Sequence, residues 1–203
     1  MELLYPFFIS FLLVFISELG DKTQLLVISF SSKAKAFVIL FGVAVGSFFS
    51  HGVAILFGSS MGVLENEFIH NLLEIITYCT FLIFGIFSFL PKREEKESSK
   101  KESFIKKLSS LGIGYVFIIA LSIIIGELGD KTFLASLGLG ISYPNYKFSL
   151  ILGSVLGMVA SNSLAITFGK ILNRYISEST MQKLSGVLFI IFGVIGFFRL
   201  LFK

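Results

Sequence analysis

Six long apolar stretches dominate the sequence, and short polar segments separate them. They cover residues 3–30, 36–58, 69–90, 111–139, 147–170 and 182–202. A helix that crosses a bilayer needs about 20 mostly apolar residues, so each stretch is long enough to cross once. The pattern therefore predicts an all-α polytopic membrane protein with six transmembrane helices.

The composition supports a membrane setting. Of the 203 residues, 55% are hydrophobic and 15% are charged, whereas a soluble domain carries about 25% charged residues. The first stretch has no basic segment before it and no small-residue cleavage site, so we expect it to be kept as a span and not removed as a signal peptide. The single cysteine, Cys79, excludes an internal disulfide framework and a thiolate metal cluster.

Lysine and arginine fall mainly on one side of the predicted membrane domain. Six spans place the loops 31–35, 91–110 and 171–182 on a common side, which holds twelve basic residues against three on the other when flanking residues are counted. The twelve are Lys33, Lys35, Lys92, Arg93, Lys96, Lys100, Lys101, Lys106, Lys107, Lys170, Arg174 and Lys183, and the three are Lys147, Arg199 and Lys203. The positive-inside rule makes the first side cytoplasmic. We therefore expect a multi-pass protein of the cell (inner) membrane with both termini extracytoplasmic.

Membrane orientation accounts for the basic charge, so nucleic acid is not an expected partner. Segment 91–110 is rich in Lys, Glu and Ser, and such a composition buries too little apolar surface to form a core. It is predicted to be a charged cytoplasmic linker, with binding of anionic lipid as the alternative.

A hexapeptide occurs twice in the chain and indicates an internal repeat. The residues from Glu18 to Thr23 recur, unchanged, from Glu127 to Thr132. The next stretch repeats as well. Its small residues Gly42, Gly46, Ser50, Ala54 and Gly58 are matched by Gly153, Gly157, Ser161, Ala165 and Gly169. Residues 1–90 and 111–203 are thus predicted to be two three-helix repeats. Three spans is an odd number, so the second repeat is inverted, an arrangement common in secondary transporters.

The rows of small residues are first of all packing surfaces, because helices in lipid approach closely where side chains are small. Ser50 and Ser161 are additional candidate oxygen ligands. The next position is also polar in both repeats, with His51 in the first and Asn162 in the second. Asn162 is a candidate ligand, whereas His51 is predicted to be a packing residue, with contact to an ion or a proton as the alternative.

The motif carboxylates are the main candidates for chemistry. Among the thirteen acidic residues, only Glu18, Asp21, Glu127 and Asp130 are predicted to lie deep in a span, where an ionisable group is costly and usually functional. Glu and Asp three apart share a helix face, and the repeat brings both pairs to one interface. Thr23 and Thr132 add hydroxyls, and the motif glycines tolerate an unwound turn with free carbonyls.

An oxygen-rich site of this kind suits Ca²⁺, Mg²⁺ or Mn²⁺. Protons compete with a metal for the same carboxylates, so metal entry expels protons. That competition is what a cation/proton exchanger requires. The residues alone leave open a passive cation channel, an intramembrane aspartyl enzyme, and simple pairing of each carboxylate with the motif lysine.

Two copies of Glu-x-Gly-Asp-Lys/Arg-Thr/Ser in opposite halves resemble the Gdt-type cation/proton antiporter family, which includes transmembrane protein 165. The resemblance covers nearly the whole chain. It implies a transporter and not an enzyme, with no cofactor, that exports Mn²⁺, or Ca²⁺ as an alternative, in exchange for protons. It also implies cation and proton binding by Glu18, Asp21, Glu127 and Asp130, with Thr23, Thr132 and Gln24 as auxiliary ligands. Its expected partners are these ions and lipid, and a homo-oligomer is compatible with it.

Overall fold

The protein is helical throughout the residues that a computed structural model describes, which are 4–19, 21–31, 33–64, 66–90, 114–175 and 178–202. The helices are α1 (Leu4–Glu18), α2 (Lys22–Phe30), α3 (Ala36–Gly62), α4 (Glu67–Phe87), α5 (Tyr115–Glu127), α6 (Lys131–Ser142), α7 (Lys147–Tyr175) and α8 (Glu178–Leu201), with a 3-10 turn at Pro144–Tyr146. No β-strand occurs in these ranges. The predicted all-α class is confirmed.

Within the described part of the chain, four helical segments are long and apolar enough to cross a bilayer. They are Ala36–Gly62, Glu67–Phe87, Pro144–Thr167 and Gln182–Leu201. Helices α1 and α5 are apolar but shorter. Large apolar side chains also cover the outside of the bundle, and Phe37 and Phe148 are 79% and 72% exposed. So much exposed apolar surface fits lipid better than water, and the chain is a membrane protein.

Two of the six predicted helices are not continuous. The stretch 3–30 is divided into α1 and α2, and the stretch 111–139 contains α5 and α6. Each interruption falls within a copy of the repeated motif, between its Glu and its Lys. Gly129 lies in the second break with a φ of 82°, a conformation that residues with a side chain rarely adopt. Gly129 therefore occupies an unwound turn of the kind that the sequence allowed at both motif glycines, and Gly20 lies outside the described residues.

The predicted loop boundaries need one correction. The loop expected over 171–182 is wrong, because α7 continues to Tyr175 and α8 begins at Glu178. Long basic side chains can reach water while their helix continues past the apolar layer. Apolarity alone therefore ended the predicted span too early. The predicted linker 91–110 lies outside the described residues.

The same close helix contact occurs in both halves of the chain. A Cβ atom added at Gly46 of α3 would lie 2.7 Å from the Ala120 carbonyl oxygen of α5, and one added at the matching Gly157 of α7 would lie 2.6 Å from the Phe11 carbonyl oxygen of α1. Ala120 and Phe11 also match in the repeat. The first helix of each half thus packs against the small-residue helix of the other half. This is the close packing that the rows of small residues predicted.

These contacts centre on a buried apolar core between the halves. Helices α1, α3, α5 and α7 contribute the fully buried residues Leu13, Ile39, Val43, Ile119, Ile123, Leu150 and Met158, and α2, α6 and α8 add Val27, Ala135 and Phe189. The two motifs lie where this core meets the broken helices, so the packing that joins the halves also positions the polar residues between them.

Candidate functional site

Three motif carboxylates converge in the interior. Glu18 and Glu127 are the last residues of α1 and α5, and neither side chain is exposed. One carboxylate oxygen each from Glu18, Glu127 and Asp130 lie within 4.8 Å of one another. Three like charges this close repel strongly when ionised. Either a bound cation or protons can therefore neutralise the negative charge of the cluster.

Each glutamate is held by the threonine of its own motif. The Thr23 hydroxyl donates to Glu18 Oε2 at 2.9 Å, and the Thr132 hydroxyl donates to Glu127 Oε2 at the same distance. The Thr132 hydroxyl is also 3.4 Å from Asp130 Oδ2. The hydrogen bond between threonine and glutamate is thus the same in the two motifs, as their identical sequences lead one to expect.

The second oxygen of each glutamate has no hydrogen-bond partner within the described part of the chain. These atoms are Glu18 Oε1 and Glu127 Oε1, and both are buried. Buried polar atoms are nearly always paired with protein or water. Two unpaired oxygens at matching positions of the repeat are therefore available to a ligand such as an ion or ordered water.

The helix ends around the cluster also suit ion binding. Asp21 and Asp130 are the N-cap residues of α2 and α6, in extended conformations with φ, ψ of −83°, 163° and −74°, 166°. The C-terminal ends of α1 and α5 carry partial negative charge and end at Glu18 and Glu127, whose carbonyl oxygens accept from the backbone amides of Asp21 and Asp130 at 3.2 and 3.0 Å. Backbone oxygens at such broken helices are typical ligands of transported cations.

Asp21 is placed differently from the other three carboxylates. Its side chain is half-buried and does not belong to the cluster within 4.8 Å. Asp21 nonetheless follows Glu18 by three residues and is the N-cap of α2, so it lies next to the cluster along the chain. The predicted convergence of four carboxylates is thus a cluster of three, with Asp21 beside it.

The predicted auxiliary residues lie at the interface between the halves but make different contacts. Gln24 is buried and donates to the hydroxyl and the carbonyl oxygen of Ser161, at 2.6 and 3.1 Å. Ser50 donates to the Ser47 carbonyl oxygen within its own helix, at 3.4 Å. Asn162 donates to the Met158 carbonyl oxygen at 2.9 Å. Gln24 and Ser161 therefore join the halves, whereas the Ser50 and Asn162 side chains bond within their helices.

His51 contacts a polar residue of the second half of the chain. Its side chain is fully buried, and Nδ1 lies 2.9 Å from the Ser136 hydroxyl of α6. Ser136 was not singled out in the sequence. It stands one turn after Thr132 on the same helix, and that i, i+4 spacing from a motif residue is the signal that would have found it.

A second polar group was missed by sequence reasoning. Glu74 of α4 is buried, although the sequence placed only the four motif acids deep in a span. It lines a cavity of about 310 Å³, together with Tyr78, Arg199, Leu200 and Phe202. Arg199 donates to the Tyr143 hydroxyl and lies over that ring, 5.0 Å from its centre. The sequence signal for this group was the presence of a glutamate, Glu74, and an arginine, Arg199, within apolar stretches.

Comparison with known proteins adds independent evidence. Residues 6–96 and 115–201 match the family model described as the divalent cation/proton antiporter GDT1. A GDT1-like protein of Synechocystis is 30% identical over 207 residues, which cover 96% of this chain and 97% of the relative. No solved structure matches the chain.

Other relatives are more distant or longer. A Vibrio cholerae protein named as a candidate manganese exporter is 26% identical over 185 residues, or 90% of this chain and 86% of the relative. The chloroplast protein PAM71 of Arabidopsis thaliana is 26% identical over 208 residues, or 92% of this chain, which spans only 55% of that relative. The family match covers both motifs and every described helix almost to its ends. The chain therefore belongs to the GDT1 family of divalent cation/proton antiporters.

Proposed function

We propose that this protein exports a divalent cation, Mn²⁺ in preference to Ca²⁺, across the cell membrane in exchange for protons. The single observation that carries the proposal is the buried cluster of Glu18, Glu127 and Asp130, whose oxygens lie within 4.8 Å of one another. A cation neutralises such a cluster, and protons neutralise it when the cation leaves. Metal binding to carboxylates displaces protons for this reason.

The ligand set in this proposal extends beyond the cluster. Glu18, Glu127 and Asp130 bind the cation directly, and Asp21 adds negative charge beside them. Thr23 and Thr132 fix the orientation of the two glutamates through their hydrogen bonds of 2.9 Å. Gln24 and Ser161 hold α2 against α7. Oxygen ligands of this number suit Mn²⁺ and Ca²⁺ alike, and the preference for Mn²⁺ draws on the name of the Vibrio relative.

The architecture that we propose is two inverted repeats of three spans, residues 1–90 and 111–203. Helices α1 with α2, and α5 with α6, each form one broken span, and α3, α4, α7 and α8 form the other four. Support comes from the matched contacts of Gly46 with Ala120 and of Gly157 with Phe11. In this arrangement both termini are extracytoplasmic, and alternating access exposes the shared site first to one side and then to the other.

Flux measurements test the proposal. The full-length protein is reconstituted in liposomes that contain a pH-sensitive dye, and Mn²⁺ or Ca²⁺ is added outside. We expect cation entry to be accompanied by proton exit, and a proton gradient alone to drive uphill Mn²⁺ movement. Cation movement without opposing proton movement would instead indicate a passive channel and would refute the exchange mechanism.

A further inference from the structure

His51 has one ring nitrogen that is paired and one that is not. Nδ1 lies 2.9 Å from the Ser136 hydroxyl, whereas Nε2 is buried without a hydrogen-bond partner among the described residues. If Nδ1 carries the proton and donates to Ser136, Nε2 presents a bare lone pair. A histidine whose other nitrogen is fixed by a hydrogen bond in this way is the usual form of a metal ligand.

The helix register brings His51 close to the carboxylate cluster. Gly42 of α3 packs against Ile119 of α5, and Gly46 packs against Ile123. These contacts advance by four residues on both helices, so one further turn sets position 50 level with Glu127. His51 is the next residue. It does not belong to the group of oxygens within 4.8 Å, so it lies outside the carboxylate cluster, near the level of Glu127 along the helices.

Ser47 adds a second unpaired group at this position. Its hydroxyl is buried and has no partner within the described ranges. Residues four apart share a helix face, so Ser47 and His51 present an oxygen and a nitrogen to the same side of α3. Unpaired buried groups are destabilising unless something binds them. Two of them lie one turn apart on α3, and a single bound ligand would pair both.

The other half of the chain offers no such nitrogen. Asn162 matches His51 in the repeat, and its amide nitrogen donates to its own helix while its Oδ1 is buried without a partner in the described structure. Val27 matches Ser136 and is an apolar core residue. The two halves therefore differ at this position, and only the first can provide an imidazole ligand.

We propose that His51 is a specificity-determining residue, whose Nε2 coordinates the divalent cation beside the carboxylate cluster and favours Mn²⁺ over Ca²⁺. Ca²⁺ takes oxygen ligands almost exclusively, whereas nitrogen ligands raise the affinity for transition metals relative to Ca²⁺ and Mg²⁺. Ser136 is then a positioning residue that fixes the ring. This inference rests on the proposed function, because it assumes that the cation reaches the site of Glu18, Glu127 and Asp130.

Spin-echo spectroscopy of bound Mn²⁺ tests the proposal directly. The unpaired electrons of Mn²⁺ couple to a directly bound imidazole nitrogen, and the chain contains only two histidines, His51 and His70. We expect a nitrogen signal in the wild-type protein that persists in His70→Asn and disappears in His51→Asn. Bound Mn²⁺ without a nitrogen signal in the wild-type protein would overturn the proposal, whether or not any variant folds.

Two His51 variants separate the roles of its nitrogens. His51→Asn keeps a polar group near the Nδ1 position, and thus the contact with Ser136, but removes Nε2. His51→Gln keeps a polar group near Nε2 and loses the Nδ1 contact. We expect His51→Asn to lower the ratio of Mn²⁺ to Ca²⁺ affinity at least about tenfold, the lower bound seen when even an outer-shell partner is lost. Calcium affinity changes less, and His70→Asn leaves the ratio unchanged.

An unchanged ratio in folded His51→Asn would also overturn the proposal. The proposal is also overturned if the ratio of Mn²⁺ to Ca²⁺ affinity falls only in His51→Gln and Ser136→Ala. That result would assign His51 a purely structural role. Failure of the proposed function gives a different result. In that case either the wild-type protein binds no Mn²⁺, or Glu127→Gln binds Mn²⁺ as well as the wild-type protein does. If Glu127→Gln abolishes binding while His51→Asn changes nothing, the carboxylate site stands and only the role of His51 fails.

Discussion

The threonines of the two motifs provide a quantitative prediction about cation affinity. Thr23 and Thr132 each donate one hydrogen bond of 2.9 Å to a glutamate of the cluster, and both are buried. Valine has nearly the same shape but no hydroxyl. Thr23→Val or Thr132→Val therefore removes a donor without leaving a cavity. The ionised glutamate loses support, and protons compete better with the metal.

The size of the effect follows from the type of hydrogen bond. A hydrogen bond to a charged group contributes about 1.5–3 kcal/mol, and each 1.4 kcal/mol changes an equilibrium constant tenfold. We expect each substitution to weaken Mn²⁺ binding about 10- to 100-fold. The loss for Thr132→Val should be at least as large as for Thr23→Val, because the Thr132 hydroxyl also lies 3.4 Å from Asp130 Oδ2.

Calorimetric titration of Mn²⁺ into the purified full-length protein measures this effect. Thr80→Val is the matched control, because the Thr80 hydroxyl donates to the Ile76 carbonyl oxygen of its own helix and lies far along the chain from both motifs. We expect the control to bind Mn²⁺ like the wild type. Unchanged affinity in both motif variants, or a loss in only one of them, would refute the assignment of equivalent roles to the two threonines.

Three further predictions concern stability. Gly46→Ala and Gly157→Ala should each destabilise the fold by about 1–3 kcal/mol through overpacking, because the new Cβ would lie 2.7 Å and 2.6 Å from a backbone oxygen. The control Gly52→Ala should not destabilise it, because a Cβ at Gly52 would have no neighbour within 4 Å. Thermal unfolding in detergent compares the three variants. Mn²⁺ at about 100 times its Kd at neutral pH should stabilise the protein by about 2.7 kcal/mol. At that same Mn²⁺ concentration the gain should grow as the pH rises, because binding releases protons; a thermal shift that is absent, or larger in acid, would contradict this. Gln24→Leu and Ser161→Ala break the same contact, so the double variant should lose less stability than the sum of the single variants; full additivity in denaturant unfolding would show that the two side chains act independently.

Much of the helical fold could be read from the sequence, because apolar stretches and small-residue rows report directly on spans and packing. The all-α class is confirmed, and the two small-residue rows, with Gly46 in one and Gly157 in the other, do form close contacts. The motif glycines showed that a helix break was possible at each motif. They could not show that a break occurs, because an unwound turn depends on contacts from other helices. The end of α7 was placed too early for the physical reason that hydropathy marks the edge of the lipid layer and not the end of a helix.

The site was less predictable than the motifs that form it. Sequence identity of the two hexapeptides indicated that Glu18 and Glu127 have equivalent surroundings, and their hydrogen bonds are equivalent. Identity could not show that Asp130 joins the glutamates within 4.8 Å while Asp21 does not, because the two halves pack with different side chains around them. His51 and Glu74 were underestimated for a related reason. The environment of a single polar residue in a span is set by helices distant in sequence.

The central claim is that one cation is bound between the two motifs, and the number of Mn²⁺ ions bound per chain tests it most directly. Titration of Mn²⁺ is compared for the wild-type protein, Glu18→Gln and Glu127→Gln, each verified to be folded. A shared site predicts a single ion in the wild-type protein and loss of that ion in either variant, accompanied by loss of proton release. Two ions in the wild-type protein, with one retained in each variant, would mean that the motifs bind separately and would contradict the account.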